Sequence, residues 1–251
     1  MIVNVITYGF YLNKSGARKP LKGPDEVAYC LAISACSRSG EWMKSVALLK
    51  EMNDVGLGQS VRAYSAAIDG CAEVGEWKAA IRLLNEMKSK DVRPNIVTYS
   101  TAISACAKAL ALGSEKERPF STAMELFQCM KEDESIKSNI VIYNAAISAC
   151  AEGYEIDRAF LFMRELRDEG LAPTVVTFGA LMTACERVEN VDRIDEVFSM
   201  MKSNNVTANE IIYGAAISCY RKGKMVCVLM VIHVFAILVL IILLLFRGKK
   251  L

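Results

Sequence analysis

Apolar residues recur along this chain at helical spacing, and the pattern itself recurs. Tyr64, Ala67, Ile68 and Cys71 fall at i, i+3, i+4 and i+7, and Trp77, Ala80, Ile81, Leu84 and Met87 form a second stripe after a short break. Gly40 and Gly75 interrupt the chain between two such stripes, while Pro94-Asn95 and Pro173-Thr174 interrupt it after the second. The predicted unit is therefore two helices. AYCLAISACSRSGEW from Ala28, AYSAAIDGCAEVGEW from Ala63 and TYSTAISACAKAL from Thr98 align, and so do IYNAAISACAEGYEI from Ile142, TFGALMTACERVENV from Thr177 and IYGAAISCYRKG from Ile212. Their aromatic anchors, Tyr29, Tyr64, Tyr99, Tyr143, Phe178 and Tyr213, are spaced 35, 35, 44, 35 and 35 residues apart. The longer step contains ALALGSEKERPFST, a charged segment with Gly and Pro, which predicts a bulging loop over 108–122.

One helix pair offers two apolar stripes and a single mutual contact, so the stripes are covered only when successive pairs stack. The expectation is an all-α, right-handed α-solenoid over 26–223, with units 26–60, 61–95, 96–139, 140–174 and 175–209 and a half-unit 210–223. Residues 1–25 have the opening and close of a unit without its middle, a partial and degenerate repeat.

With its 35-residue period, the openings IVTYSTAISAC and IVIYNAAISAC and the close EMKSKDVRPN, the chain resembles the pentatricopeptide repeat (PPR) family over residues 26 to 223. The resemblance implies single-stranded RNA as partner, one base per unit, in organellar RNA processing, stability or translation in a mitochondrion or plastid. It also implies roles for particular residues. The residue after each aromatic and the last residue of the unit would read a base edge: Cys30 with Ser60, Ser65 with Asn95, Ser100 with Asn139, Asn144 with Thr174, and Gly179 with Asn209. By the same resemblance the two Ser/Asn pairs favour adenine and Asn144/Thr174 a pyrimidine. Ser, Asn and Thr suit the task chemically, since each both donates and accepts hydrogen bonds. The residue two before each aromatic would wedge between bases: Val27, Arg62, Val97, Val141 and Val176. Arg62 departs from the apolar rule, although a guanidinium plane stacks on a base. Cys30/Ser60 and Gly179/Asn209 depart from the usual polar pairs.

Composition narrows the chemistry further. There is a single His, His233, which leaves no Ser-His-Asp or Cys-His couple, and neither a zinc-deaminase signature nor an Asp-rich nuclease segment occurs. The reading is a non-enzyme with no catalytic residue, no metal site and no cofactor. Cys36, Cys71, Cys106, Cys150 and Cys185 hold one register position on the first helix, about 8–10 Å apart when helices pack, too far for disulfides; they read as small core residues. Trp42 and Trp77 recur in register as second-helix core. Residues 26–223 carry 22 basic and 27 acidic groups, a net −5 that weighs against tight, unspecific polyanion binding. A helical scaffold for protein partners is the alternative function. Residues 225–246 are 22 uncharged residues, about 33 Å as a helix and enough to cross a bilayer. They stand where the last unit's second helix should begin, which fits either a single-pass membrane anchor or translation past an exon boundary. Basic residues on both sides leave orientation open. No cleavable targeting pattern is visible in 1–11.

Overall fold

The computed structural model describes residues 10–12, 18–20, 24–113 and 117–222. Ahead of the array, β1 (Phe10–Leu12) pairs antiparallel with β2 (Arg18–Pro20), Tyr11 opposite Lys19. Eleven helices follow among the described residues: α1 (Glu26–Arg38), α2 (Trp42–Asp54), α3 (Val61–Val74), α4 (Trp77–Ser89), α5 (Ile96–Ala111), α6 (Glu117–Glu132), α7 (Ile140–Glu152), α8 (Ile156–Asp168), α9 (Val175–Arg187), α10 (Asp192–Ser203) and α11 (Glu210–Lys222). Odd-numbered helices open at 26, 61, 96, 140, 175 and 210, in step with the sequence period. The described part of 1–25 is extended instead of helical. A segment that lacks the middle of a unit has no second stripe for a helix to bury.

First helices pack on one another in series, α1 on α3, α3 on α5, α5 on α7, α7 on α9 and α9 on α11. Each second helix leans on its own first helix and on the next unit's first helix. One layer is thus continuously packed and the other is spread, which bends the stack with the first helices inside. Small residues let them approach. Gly70, Ala105, Ala149 and Ala184 share one register position and are buried, and a Cβ on Gly70 would stand 2.8 Å from Ser37 Oγ and 3.1 Å from Ser37 Cα. Four positions after the aromatic anchors, Ile33, Ile68, Ile103, Ile147 and Met182 have no exposed surface at all. Their counterpart on the last described helix, Ile217, is 52% exposed.

The turns also keep time. Gly40, Gly75, Tyr154 and Glu189 follow successive first helices with positive φ, and Gly56, Asp91, Gly170 and Asn205 follow second helices in the same way. Gly113 does the same after α5, so among the described helices followed by a corner only α6 ends without a left-handed residue, the conformation that glycine adopts without strain.

The nine-residue stretch is mostly helix, which corrects the loop expected over 108–122. α5 and α6 have 16 residues each, against 13 in α7 and α8. Ala109 and Leu110 extend the apolar stripe of α5 and are buried. Pro119 is tolerated because the first turn of α6 needs no donor from it. Of the expected loop, 112–113 form a turn after α5 and 114–116 lie outside the described residues. Among the described residues no helix is long and apolar enough to cross a membrane. The apolar run 225–246 lies outside them.

Candidate nucleic-acid interface

Four register positions fall on one face of every first helix, because residues at i, i+3, i+7 and i+11 stack along one side. The first of these is the expected wedge. Val27, Val97, Val141 and Val176 are 58%, 53%, 54% and 60% exposed, Ile211 in the half-unit is 72% exposed, and Arg62 is exposed as well. A single exposed valine is ordinary. An apolar row repeated in register on the inner layer, beside polar side chains, is a surface built to be covered.

The second position holds the expected readers. Ser65 Oγ donates to Val61 O at 2.8 Å and Ser100 Oγ to Val97 O at 3.0 Å. Each hydroxyl proton is therefore committed to its own helix, and the oxygen lone pairs are left as acceptors, with Ser65 half-buried and Ser100 buried at 5% exposure on the wall of a cavity. Asn144 differs, because its buried Oδ1 has no hydrogen-bond partner. Gly179 presents no side chain, and a Cβ there would have open space around it. In the first unit, Cys30 Sγ and Ser60 Oγ are 3.6 Å apart and each is 5% exposed, so this pair faces itself. The members of the other four pairs make no hydrogen bond to one another.

The second member of every pair also has a structural task. Each is the N-cap of the next first helix. Ser60 accepts from Ala63 N at 3.4 Å. Asn95 Oδ1 accepts from Thr98 N at 3.0 Å while Asn95 N donates to Thr98 Oγ1 at 2.7 Å, a reciprocal capping box. Asn139 Oδ1 accepts from Val141 N and Ile142 N, Thr174 N donates to Thr177 Oγ1 at 3.0 Å, and Asn209 Oδ1 accepts from Ile212 N at 3.1 Å. Capping engages the Asn carbonyl oxygens and leaves Nδ2 of Asn95, Asn139 and Asn209 as donors. A Ser acceptor and an Asn donor together would complement a base edge that carries one donor and one acceptor.

Sequence reasoning missed the groove floor, although the register that revealed the anchors would have shown it. The third position reads Ser34, Asp69, Ser104, Ser148, Thr183, Ser218, and the fourth reads Arg38, Glu73, Lys108, Glu152, Arg187, Lys222. A cavity of about 370 Å³ opens between units two and four, lined by Asp69, Glu73, Ser100, Thr101, Lys108 and Val141 among others. Burial raises the Asp69 carboxyl above its ordinary range, and the charge of Glu73 adds to the effect. Farther along, Arg187 pairs with Glu152 at 2.5 Å and Lys222 with Glu186 at 3.1 Å.

The buried thiols behave as core. Burial pushes Cys106, Cys150 and Cys185 up to about 12 and Cys71 to about 11. Cys36 is half-buried, and Trp42 and Trp77 are partly buried against the core.

The repeat geometry has close parallels. A family model described as the pentacotripeptide-repeat region of PRORP matches residues 58–242, and one described as the PPR repeat matches residues 27–57. Among solved structures, the maize pentatricopeptide repeat protein PPR10 superposes with a TM-score of 0.62 at 23% identity, over 83% of this chain and 29% of that one. PPR10 in complex with an 18-nt psaJ RNA element gives 0.63 at 21% identity, over 78% and 28%. The PPR domain of Arabidopsis thaliana protein-only RNase P 1, in complex with tRNA, gives 0.59 at 15%, over 78% of this chain and 98% of that domain. The chain thus spans less than a third of the length of PPR10. No curated protein matches it. Matched by family models across its helical array and folded as stacked 35-residue helix pairs, the chain belongs to the pentatricopeptide repeat family.

Proposed function

We propose that the inner face of the array binds single-stranded RNA in a sequence-dependent way, one base between successive wedge residues. The observation that carries this reading is the exposed row Val27, Arg62, Val97, Val141 and Val176 set beside polar readers in the same register. Stacking between such side chains is sequence-tolerant, whereas the hydrogen-bonding edge is not. Similar folds support it, since the structures of PPR10 and of the RNase P 1 domain hold an RNA element and a tRNA respectively. Ser65/Asn95 and Ser100/Asn139 read adenine, and Asn144/Thr174 reads a pyrimidine. Cys30/Ser60 and Gly179/Asn209 contribute little discrimination. We read the array as a binder and not a catalyst, acting on organellar transcripts.

The test is fluorescence anisotropy with the full-length chain and labelled single-stranded RNA. An oligonucleotide containing adenine, adenine and pyrimidine in a row binds more tightly than its scramble. Equal binding of both overturns the base assignment, and no binding at low salt overturns the RNA reading in favour of a protein scaffold.

A further inference from the structure

The groove floor alternates in charge where a uniform cationic row would serve RNA best. At the fourth position the residues run Arg38, Glu73, Lys108, Glu152, Arg187, Lys222, on the same helical face as the wedges and readers. The two carboxylates interrupt the cations in different ways. Glu152, with 17% of its side chain exposed, pairs with Arg187 and so engages the next unit's cation. Glu73 is exposed, has no ion-pair partner among the described residues, and shares a cavity with Lys108 and Asp69. A single strand laid along this face would carry one phosphate past each unit, alternately attracted and repelled. Counterion release rewards each neutralised phosphate and is lost wherever the facing cation is already matched.

Resting on the RNA reading above, we propose that Glu73 and Glu152 are the residues that limit how tightly this groove holds RNA. They make binding depend on the base pairs at the readers instead of on charge. With the floor nearly neutral, an RNA of the wrong sequence gains little from its phosphates. Affinity then rests on stacking and edge hydrogen bonds, and discrimination is sharper for it.

The experiment measures RNA affinity of the full-length chain across a potassium chloride series, with the adenine-adenine-pyrimidine oligonucleotide and its scramble. Glu152→Gln frees Arg187, so affinity rises about threefold and the slope of log K against log salt steepens by about 0.7, the value of one added phosphate contact on a single strand. Glu73→Gln removes repulsion without breaking an ion pair, and it raises affinity even if the Glu152 variant is destabilised. Both variants lose discrimination against the scramble. Arg187→Gln changes little in the native background and abolishes the gain in the Glu152→Gln background. Glu125→Gln, the same charge change on an exposed position of α6, leaves the slope unaltered. If the native chain binds RNA and both groove variants match it, this inference falls while the RNA reading stands. Should Glu125→Gln reproduce their gain, the effect is overall charge and the inference also falls. Absence of binding by every form removes the RNA reading and this inference together.

Discussion

At the scale of single residues, side chains with a task in the fold are also the ones the proposed RNA reading uses. Asn95 and Asn139 cap helices through Oδ1, which leaves their amide hydrogens uncommitted. Ser65 and Ser100 donate to their own helices and keep lone pairs. Changing both serines to Asn shifts base preference from adenine toward pyrimidine, with circular dichroism unchanged; retained adenine preference in the anisotropy assay would refute the assignment. Gly179 offers a complementary gain. Its surroundings are open, so Gly179→Asn installs a reader opposite Asn209 and gives the fifth unit a base preference it lacks. The thiols make a separate prediction. With their ionisation pushed up to about 11 or 12, Cys71, Cys106, Cys150 and Cys185 stay unmodified by a thiol reagent at pH 7.5 until the chain unfolds. Exposed Cys129 is labelled in the folded protein. Peptide mapping by mass spectrometry reads both outcomes.

At the scale of the helix pair, corners and contacts decide stability. Glu189 occupies with φ 54° the corner that Gly40 and Gly75 fill at 74° and 76°. An L-residue in that conformation costs roughly 1–2 kcal/mol, part of which a glycine returns through a more flexible unfolded chain. Glu189→Gly therefore stabilises the array by about 0.5–1 kcal/mol in urea denaturation. The reverse holds where first helices touch. Gly70→Ala drives a methyl to within 2.8 Å of Ser37 Oγ, whose single proton is shared between Ile33 O and Ala66 O. Separating α1 from α3 to relieve the clash costs about 1–3 kcal/mol. These details separate what was legible in the sequence from what was not. Helix starts and anchors follow from periodicity, because burial of one stripe per helix is imposed in every unit, whereas the exposed wedge positions come from the family resemblance and not from the apolar pattern. The stretched unit was misread because Gly113 and Pro119 look like loop punctuation, while Ala109, Leu110 and Phe120 keep packing against the core. The capping role of Asn95 and Asn139 was half visible: their residue type favours caps, but only the helix start immediately afterwards identifies which oxygen is engaged. The groove floor was missed because its rows are polar, and polarity carries no burial signal.

At the scale of the whole molecule, the array behaves as a chain of coupled units, and among the described residues its first and last helices have fewer neighbours. α5 packs on α3, α4, α6 and α7, whereas α11 packs chiefly on α9 and leaves Ile217 half exposed. Stability in such a solenoid is close to a sum of unit terms and nearest-neighbour interfaces. Opening an end unit breaks one interface and opening a central unit breaks two, so protection against hydrogen exchange is graded along the chain. Amides of α5 and α7 exchange slowest, and those of α1 and α11 fastest. The same grading applies to core truncation. Ile103→Ala, in α5, removes a fully buried side chain between two interfaces and costs about 2–5 kcal/mol, with loss of cooperativity across the array. Ile217→Ala costs well under that, because half of the side chain is exposed to begin with. Exchange followed by mass spectrometry on the native chain and both variants decides the matter: uniform protection from α1 to α11, or equal penalties at positions 103 and 217, would show that the array folds as one indivisible block.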